Sequence, residues 1–218
     1  MRFASDTILN AMTDTGLIPV FNHADLEIAK QVLDASYQAG IRVFEFTNRG
    51  PHSLKVFKGL VLYAEKYEDL VMGIGTIFTV QEAKDFLFAG ADFIVSPALV
   101  LDVAHYCNMK NVLWIPGCAT VTEVHQAHLL GAKLIKAYPG NLLGPGFISA
   151  IKAILPEVKL MPTGGVEPNE ENLSAWFKSG VTCVGMGSQL FKKEWLAEKQ
   201  FKPLEAKIKA TLQIIQSL

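Results

Sequence analysis

Short runs of apolar and β-branched residues recur along the chain, separated by longer segments with helical periodicity. Consecutive runs start on average about 24 residues apart. One parallel strand and its crossover helix require a spacing of this kind, which is too long for β-hairpins. The runs are Leu17–Phe21, Arg42–Thr47, Val71–Ile77, Phe93–Pro97, Val112–Pro116, Leu134–Pro139, Lys159–Thr163 and Thr182–Met186.

Glycine stands at the end of four helical segments, directly before the next strand, where a left-handed residue commonly ends a helix. These glycines are Gly40, Gly90, Gly131 and Gly180. Strand–helix units of nearly even length predict an α/β fold, a single (β/α)8 TIM barrel over residues 1–218. We expect an extra N-terminal helix in Arg2–Thr15 and a C-terminal helix in Glu194–Leu218. A doubly wound open sheet is the competing architecture.

Composition narrows the classes of partner. The 218 residues are 50% hydrophobic, and 20 Lys and Arg against 21 Asp and Glu leave a net charge of −1. This balance does not favour binding to nucleic acid or to an anionic membrane. Cys107, Cys118 and Cys183 lie far apart in the chain. This scattered, odd-numbered set indicates reduced cysteines of a cytoplasmic protein. No stretch resembles a signal peptide or reaches the about 20 apolar residues of a membrane span.

A lysine stands inside one of the predicted buried strands. Lys136 belongs to the run Leu134–Pro139. Burial disfavours the charged ammonium form, and a neutral amine is the nucleophile that condenses with a ketone to form a Schiff base. An isolated strand lysine more often extends its head group to the rim of the sheet, so this residue alone does not establish the chemistry.

A glutamate interrupts another apolar strand. Period-two alternation places Glu45 and Thr47 on one face of the strand and Phe44 and Phe46 on the other. If the phenylalanines pack against the helices, Glu45 and Thr47 enter the barrel. A carboxylate in that position can act as a general acid and base. A purely structural ion pair with a nearby cation is the alternative.

Polar residues at the C-terminal ends of barrel strands are the candidates for chemistry. Arg49 follows the second strand, and its guanidinium suits a carboxylate, although a surface arginine is the commoner outcome. Thr76 follows the third strand, next to a glycine that permits close approach of a ligand. The alternative for Thr76 is an N-cap of the helix predicted over Val80–Phe88.

Two glycine-rich turns follow the last two predicted strands. They contain Thr163-Gly164-Gly165 and Gly187-Ser188. Backbone N–H groups in such turns bind phosphate, and TIM barrels often place a phosphate after strands seven and eight. Ser188 is either a phosphate donor or the N-cap of a following helix, and the two roles are compatible.

As an ordered set, the motifs resemble the class I 2-dehydro-3-deoxy-phosphogluconate (KDPG) and 4-hydroxy-2-oxoglutarate (KHG) aldolase family, which includes 6-phosphogalactonate aldolases. The resemblance extends from the first strand to the eighth. The motifs are Glu45-x-Thr47-x-Arg49, Gly73-x-Gly75-Thr76, Ser96-Pro97, Ile115-Pro116-Gly117-x-x-Thr120, Lys136-x-Tyr138-Pro139, Pro162-Thr163-Gly164-Gly165 and Gly185-x-Gly187-Ser188.

The resemblance implies a carbon–carbon lyase that uses no metal or cofactor and is usually a homotrimer. Its small-molecule substrate is a 2-keto-3-deoxy-6-phospho-sugar acid, cleaved to pyruvate and D-glyceraldehyde 3-phosphate. Lys136 is implied as the Schiff-base lysine, Glu45 as the acid/base residue, and Arg49 and Thr76 as ligands of the substrate carboxylate. The implied phosphate-binding residues are Gly164, Gly165, Gly187 and Ser188, and the other pocket residues are Thr47, Pro97, Tyr138 and Thr163.

The chain departs from the family pattern near the expected pocket mouth. Asn48 stands where an apolar residue is frequent, and Ala137 stands where a bulky one is usual. We expect Ala137 to open the pocket around the substrate tail. Cleavage of 4-hydroxy-2-oxoglutarate or of a 6-phosphogalactonate-type acid is the nearer alternative. A phosphosugar isomerase or epimerase, with Glu45 as a simple base, and a non-catalytic sensor of phosphorylated sugar acids are more distant ones.

Overall fold

Strands and helices alternate along the computed structural model, which describes residues 2–218. The strands are β1 (Leu17–Phe21), β2 (Val43–Thr47), β3 (Val71–Gly75), β4 (Phe93–Val95), β5 (Leu113–Ile115), β6 (Gly117–Cys118), β7 (Ile135–Ala137), β8 (Leu160–Pro162) and β9 (Val184–Met186). The helices are α1 (Ser5–Thr15), α2 (Leu26–Gln38), α3 (Ser53–Ala64), α4 (Val80–Phe88), α5 (Leu101–Met109), α6 (Val121–Leu129), α7 (Gly140–Ile154), α8 (Glu170–Lys178), α9 (Lys193–Ala197) and α10 (Phe201–Gln216).

The parallel strands close into a barrel. They pair in the orders β5-β4-β3-β2-β1-β9 and β6-β7-β8. Pro116 alone separates β5 from β6, so these two form one interrupted strand that joins the two sheets. At the other junction, Thr163 bridges Gly185 and the Thr182 N–H donates to the Leu160 carbonyl at 2.9 Å. The predicted TIM barrel is confirmed, and the open sheet is excluded.

Local sequence signals set the helix boundaries. All four glycines predicted to end helices have positive φ angles, between 86° and 113°. At the other end, α4 and α6 begin with equivalent capping boxes, formed by Thr79 with Glu82 and by Thr120 with Glu123. In each box the threonine hydroxyl accepts from a backbone N–H of the first turn, and the glutamate accepts from the threonine N–H.

Apolar side chains fill the barrel interior at the N-terminal ends of the strands. Helix α1 covers this end and buries Ile8, Leu9 and Met12 against it. Removing these side chains from water stabilises the closed barrel. We call the strand-borne part of this cluster the apolar layer, and it consists of Ile18, Val43, Val71, Phe93, Val95, Leu113, Ile115, Leu134, Met161 and Cys183.

The C-terminal third differs from the expected pattern. The stretch predicted as one C-terminal helix forms two, because Lys199 adopts a left-handed φ of 53° between α9 and α10. Helix α7 is bent at Gly144, where φ is 67° and ψ is 172°. No helix follows β9 directly: the Leu190 N–H donates to the Gly187 carbonyl at 2.9 Å in a turn. Helix α9 begins only at Lys193, so the prediction of Ser188 as an N-cap is wrong.

Candidate active site

Strands β2 and β7 bring a glutamate and a lysine together inside the barrel. Phe44 and Phe46, the strand neighbours of Glu45, pack into the core between strands and helices, as alternation predicts. Ile135 and Ala137 of β7 do the same, so Lys136 between them points into the barrel. The Lys136 Nζ atom lies 3.8 Å from Glu45 Oε1. Glu45 is 0% exposed and Lys136 is 5% exposed.

The Glu45 carboxyl group is buried without a hydrogen-bond donor. Neither of its oxygens has a partner among residues 2–218. Burial raises the pKa of Glu45, and the positive charges of Lys136 and Arg49 oppose this rise. An unpartnered buried carboxylate costs stability, and such groups are concentrated at functional sites. A carboxyl group in this environment can accept and return a proton beside a lysine.

Glycines on the inner face of the barrel make room for the functional side chains. The register of β2 and β3 places Thr47 beside Gly75, and a Cβ atom on Gly75 would overlap Glu45 Oε1. A Cβ atom on Gly185 would overlap the Thr163 hydroxyl. Because glycine has no side chain, Gly75 and Gly185 leave space for the polar groups of Glu45 and Thr163 inside the barrel.

Three of the predicted pocket residues, Tyr138, Thr163 and Thr47, have different surroundings. The Lys136 Nζ atom lies 5.2 Å from the ring centroid of Tyr138. The buried Thr163 hydroxyl follows β8 and has no hydrogen-bond partner within residues 2–218. The Thr47 hydroxyl lies 3.3 Å from the Phe21 carbonyl and donates to it, so it is engaged with the scaffold. The Thr163 hydroxyl is the one that remains available to a ligand.

Pro97 follows β4 and packs against β6. A Cβ atom on Gly117 would overlap the Pro97 carbonyl, and Gly117 pairs with Lys136 across β6 and β7. The backbone at Pro97 is therefore packed directly against the strand that neighbours the lysine. This placement agrees with the predicted position of Pro97 at the wall of the pocket.

Arg49 and Thr76 lie in the loops after the adjacent strands β2 and β3. Arg49 is exposed and Thr76 is partly buried. Thr76 has a φ of 64°, which is unusual for a β-branched residue. The hydroxyl of Thr79, not that of Thr76, caps α4, so the capping interpretation of Thr76 is wrong. Both residues are at the C-terminal end of the barrel, where the sequence placed them.

The two predicted phosphate turns lie side by side. Gly164 and Gly165 have φ angles of 90° and 71°, a conformation that glycine adopts without strain. Gly187 packs close to the carbonyl of Val20 on β1, and Ser188 is exposed beside it. Thr163 bridges Gly185, so the two turns follow neighbouring strands at the same end of the barrel.

Ala137 does not open the pocket. Its side chain is fully buried in the core between strands and helices, on the opposite face of β7 from Lys136. The expectation that Ala137 widens the space around the substrate tail is therefore wrong. Period-two alternation from Lys136 predicts this orientation, and Tyr138 is the next residue on the pocket side.

Cavity size does not mark this site. A cavity of about 710 Å³ lies at the N-terminal end of the barrel, between α1 and α10, and neither Glu45 nor Lys136 lines it. Within residues 2–218, no group of three or more His, Cys, Asp or Glu is arranged to hold a metal ion. No helix of this part of the chain is long and apolar enough to cross a membrane. The buried ionisable pair distinguishes the C-terminal end.

A TIM barrel that buries a lysine beside a glutamate contains the two groups that an aldolase of the Schiff-base class requires. The family model described as "Aldolase: KDPG and KHG aldolase" matches residues 8–207. The chain belongs to the KDPG and KHG aldolase family.

Individual relatives are similar over nearly the whole chain. The 2-dehydro-3-deoxy-phosphogluconate aldolase of Treponema pallidum (strain Nichols) is 31% identical over 210 residues, covering 96% of this chain and 98% of that protein. The 2-dehydro-3-deoxy-6-phosphogalactonate aldolase of Escherichia coli (strain K12) is 28% identical over 206 residues, covering 94% and 98%. Among solved structures, KDPG aldolase from Legionella pneumophila, with pyruvate captured at low pH as a covalent carbinolamine intermediate, has a TM-score of 0.85 and 27% identity, covering 94% and 97%.

Proposed function

We propose that this protein is a class I aldolase that cleaves 2-dehydro-3-deoxy-6-phosphogluconate, or a close 2-keto-3-deoxy-6-phospho-sugar acid, to pyruvate and D-glyceraldehyde 3-phosphate. The observation that carries the proposal is the buried pair of Lys136 and Glu45, with 3.8 Å between Nζ and Oε1. The similar KDPG aldolase from Legionella pneumophila, in which pyruvate is captured as a covalent carbinolamine, supports an amine nucleophile.

Lys136 supplies the electron sink. Its neutral amine attacks the C2 ketone of the substrate to form a carbinolamine, which loses water to give a protonated imine. The positive imine nitrogen then accepts the electron pair released when the C3–C4 bond breaks, which produces an enamine. Protonation of the enamine at C3 and hydrolysis of the resulting imine release pyruvate and restore the amine.

Glu45 moves the protons in this sequence. As a carboxylate it accepts the proton of the C4 hydroxyl, directly or through water, while the C4 oxygen becomes the aldehyde oxygen. As a carboxylic acid it returns a proton to C3 of the enamine. Burial raises the pKa of Glu45. The raised pKa lies closer to neutral pH, and a group that both accepts and returns a proton works best when its pKa is near the operating pH. The low dielectric strengthens each of these electrostatic interactions.

The remaining site residues bind different parts of the substrate. Arg49 and Thr76, in adjacent loops, bind the carboxylate next to the ketone. The N–H groups of the two turns and the Ser188 hydroxyl bind the phosphate at the other end. The pocket between these ends is lined by Thr47, Pro97, Tyr138 and Thr163.

The paired turns favour a phosphorylated tail over 4-hydroxy-2-oxoglutarate, which carries no phosphate. A 6-phosphogalactonate-type acid is the second candidate substrate, because the relative from Escherichia coli named for that activity is 28% identical. The gluconate and galactonate substrates differ in configuration at C4. The Tyr138 ring, 5.2 Å from Lys136 Nζ, and the unpartnered Thr163 hydroxyl are the groups that we propose to contact the C4 hydroxyl.

A substrate panel tests the proposal. The purified protein is given each of the three acids, and pyruvate release is followed with lactate dehydrogenase and NADH. We expect a phosphorylated acid to be cleaved with the highest kcat/KM. Ser188→Ala should lower kcat/KM for phosphorylated acids by about 10-fold, since it removes a hydrogen bond to a charged group, and leave cleavage of 4-hydroxy-2-oxoglutarate unchanged. Absence of cleavage of all three acids would favour the isomerase or sensor interpretation instead.

We further propose a cytoplasmic homotrimer in which residues 1–218 form one domain. Buried, unpaired cysteines suit a reducing compartment. Three consecutive helices, α4, α5 and α6, each end in a large exposed apolar side chain: Phe88 is 91%, Met109 67% and Leu129 71% exposed. These ends supply apolar surface for a second copy of the chain. Light scattering should give three times the 23.9 kDa chain mass, and a monomer would contradict this.

A further inference from the structure

One side-chain hydrogen bond joins the loops after β2 and β3. The Asn48 Nδ2 atom donates to Glu82 Oε1 at 3.0 Å in a partly buried position. Asn48 lies directly before Arg49 in the chain. Glu82 lies in the first turn of α4, which follows the loop that starts at Thr76. The bond therefore spans the two loops that contain Arg49 and Thr76.

The second oxygen of Glu82 fixes its own loop. Glu82 Oε2 accepts from the Phe78 N–H at 2.9 Å, from the Thr79 N–H at 3.0 Å and from the Thr79 hydroxyl at 3.2 Å. One carboxylate group thus anchors the backbone two residues after Thr76 and, through its other oxygen, Asn48. A charged acceptor makes these hydrogen bonds stronger than neutral ones.

Helix capping alone does not require the link to Asn48. In the equivalent capping box of α6, Glu123 Oε2 accepts from the Ala119 N–H at 2.9 Å, from the Thr120 N–H at 3.0 Å and from the Thr120 hydroxyl at 3.0 Å. No group of residues 2–218 donates to Glu123 Oε1. The two boxes are therefore matched except for the link to Asn48.

Asn48 also contacts the chain on the other side of Thr76. The Asn48 N–H donates to the Gly75 carbonyl at 2.8 Å, and the Ile77 N–H donates to the Val95 carbonyl at 3.2 Å. Thr76, with its φ of 64°, is thus held between fixed neighbours. A non-glycine residue keeps such a conformation only when its surroundings determine it, and these cases are concentrated at ligand sites.

We propose that Asn48 is a positioning residue. Through Glu82 it holds the loops of Arg49 and Thr76 at the separation that binds the carboxylate of the pyruvyl half of the substrate. This inference rests on the proposed function, which assigns the carboxylate to Arg49 and Thr76.

The test compares the two halves of the substrate. Asn48→Leu removes the donor at similar volume. Pyruvate binding is measured as the pyruvate concentration that gives half-maximal borohydride trapping, and the KM of D-glyceraldehyde 3-phosphate is measured in the condensation direction. We expect the pyruvate concentration for half-maximal trapping to rise by about 10-fold or more, the effect of one lost hydrogen bond to a charged group. The KM for the aldehyde should change less than about 2-fold.

Two controls separate positioning from stability. Glu123→Ala removes the matched capping box and should lower the melting temperature. It should leave the pyruvate concentration for half-maximal trapping unchanged. In a Glu82→Ala background, where the acceptor is absent, adding Asn48→Leu should change the pyruvate concentration less than about 2-fold. Asn48→Ala serves as the second donor-free variant if Asn48→Leu does not fold.

The outcomes are distinguishable. An unchanged pyruvate concentration in both donor-free variants overturns the inference and leaves the proposed function intact. An equal rise for pyruvate and for the aldehyde also overturns it, since that result indicates general distortion of the barrel mouth. If the wild-type protein traps no pyruvate, the proposed function fails and the inference fails with it.

Discussion

The two ends of the barrel interior are built from the same strands but from different kinds of residue. On β2, Val43 faces inward at the N-terminal end and Glu45 faces inward two residues later. In the segment of β7, Leu134 and Lys136 are related in the same way. A step of two residues along one strand therefore changes an apolar interior into an ionisable one.

This difference separates stability from chemistry. Each side chain of the apolar layer contributes about 1.5–3 kcal/mol by leaving water, and α1 closes that end. At the other end the Glu45 carboxyl group is buried with no hydrogen-bond donor among residues 2–218, an arrangement that destabilises the fold. The stability contributed by the apolar layer offsets that cost, so a buried carboxyl group without a hydrogen-bond donor can be kept at the other end of the barrel.

Replacing the lysine should have the largest effect. Lys136→Ala removes the only group proposed to form the imine, so we expect kcat for cleavage to fall by at least about 10⁴-fold. The matched control is Lys133→Ala, three residues earlier, where an exposed lysine pairs with Asp6 at 2.6 Å. That variant should keep near-normal activity. Near-normal cleavage by Lys136→Ala would show that another group is the nucleophile.

Replacing the glutamate should have the next largest effect. Glu45→Gln keeps the shape of the side chain and removes its ability to exchange a proton. We expect kcat to fall by about 10²- to 10⁴-fold, while pyruvate still forms some imine with Lys136. Steady-state assays and borohydride trapping on the same preparation measure the two effects. Equal loss of cleavage and of trapping would place Glu45 in imine formation alone.

The opposite end should respond in stability and not in catalysis. Leu134→Ala, two residues before the catalytic lysine, leaves a cavity in the apolar layer and should lower the free energy of unfolding by about 2–5 kcal/mol. At temperatures where the variant is folded, we expect kcat within about 3-fold of the wild type. Urea unfolding and activity on the same samples decide this. A large loss of kcat in the folded variant would mean that the two ends are not separable.

The pH dependence of stability should show the smallest effect. Because the pKa of Glu45 is raised in the folded protein, the folded state binds this proton more tightly than the unfolded chain. The resulting stabilisation is present below the unfolded pKa and is lost as pH rises through the folded pKa. Glu45→Gln should therefore be more stable than the wild type at pH 8.

That gain should shrink toward about pH 4, where the wild-type group is mostly protonated in both states. Unfolding curves at the two pH values, at one protein concentration, provide the measurement. The exposed Glu65→Gln is the matched control and should show no such difference between the two pH values. A Glu45→Gln variant less stable than the wild type at pH 8 would mean that the carboxylate is favourably paired.

Local patterns predicted most of the scaffold. Alternation around Glu45 and the spacing of apolar runs depend only on neighbouring residues, and the structure confirms both. Helix α4 begins and ends where the periodicity predicts, at Val80 and Phe88. Ala137 follows the same rule, since alternation from Lys136 places its side chain outside the pocket, in the core between strands and helices.

Features that depend on distant residues were not predictable in this way. The cap of α4 is not one of them, since the capping-box pattern Thr79-x-x-Glu82 is local and identifies Thr79, not Thr76, as the N-cap. The hydrogen bond between Asn48 and Glu82 joins residues 34 positions apart, and it exists only because β2 and β3 are adjacent. In the sequence, its only signal was a polar residue at a position that is frequently apolar.

The central claim is that Lys136 forms an imine with the pyruvyl half of the substrate. The most direct test is incubation with pyruvate and borohydride, which reduces an imine to a stable secondary amine, followed by peptide mass spectrometry. The account predicts one adduct, on Lys136, that is absent in Lys136→Ala. No adduct, or an adduct on a different lysine with Lys136 unmodified, would contradict it.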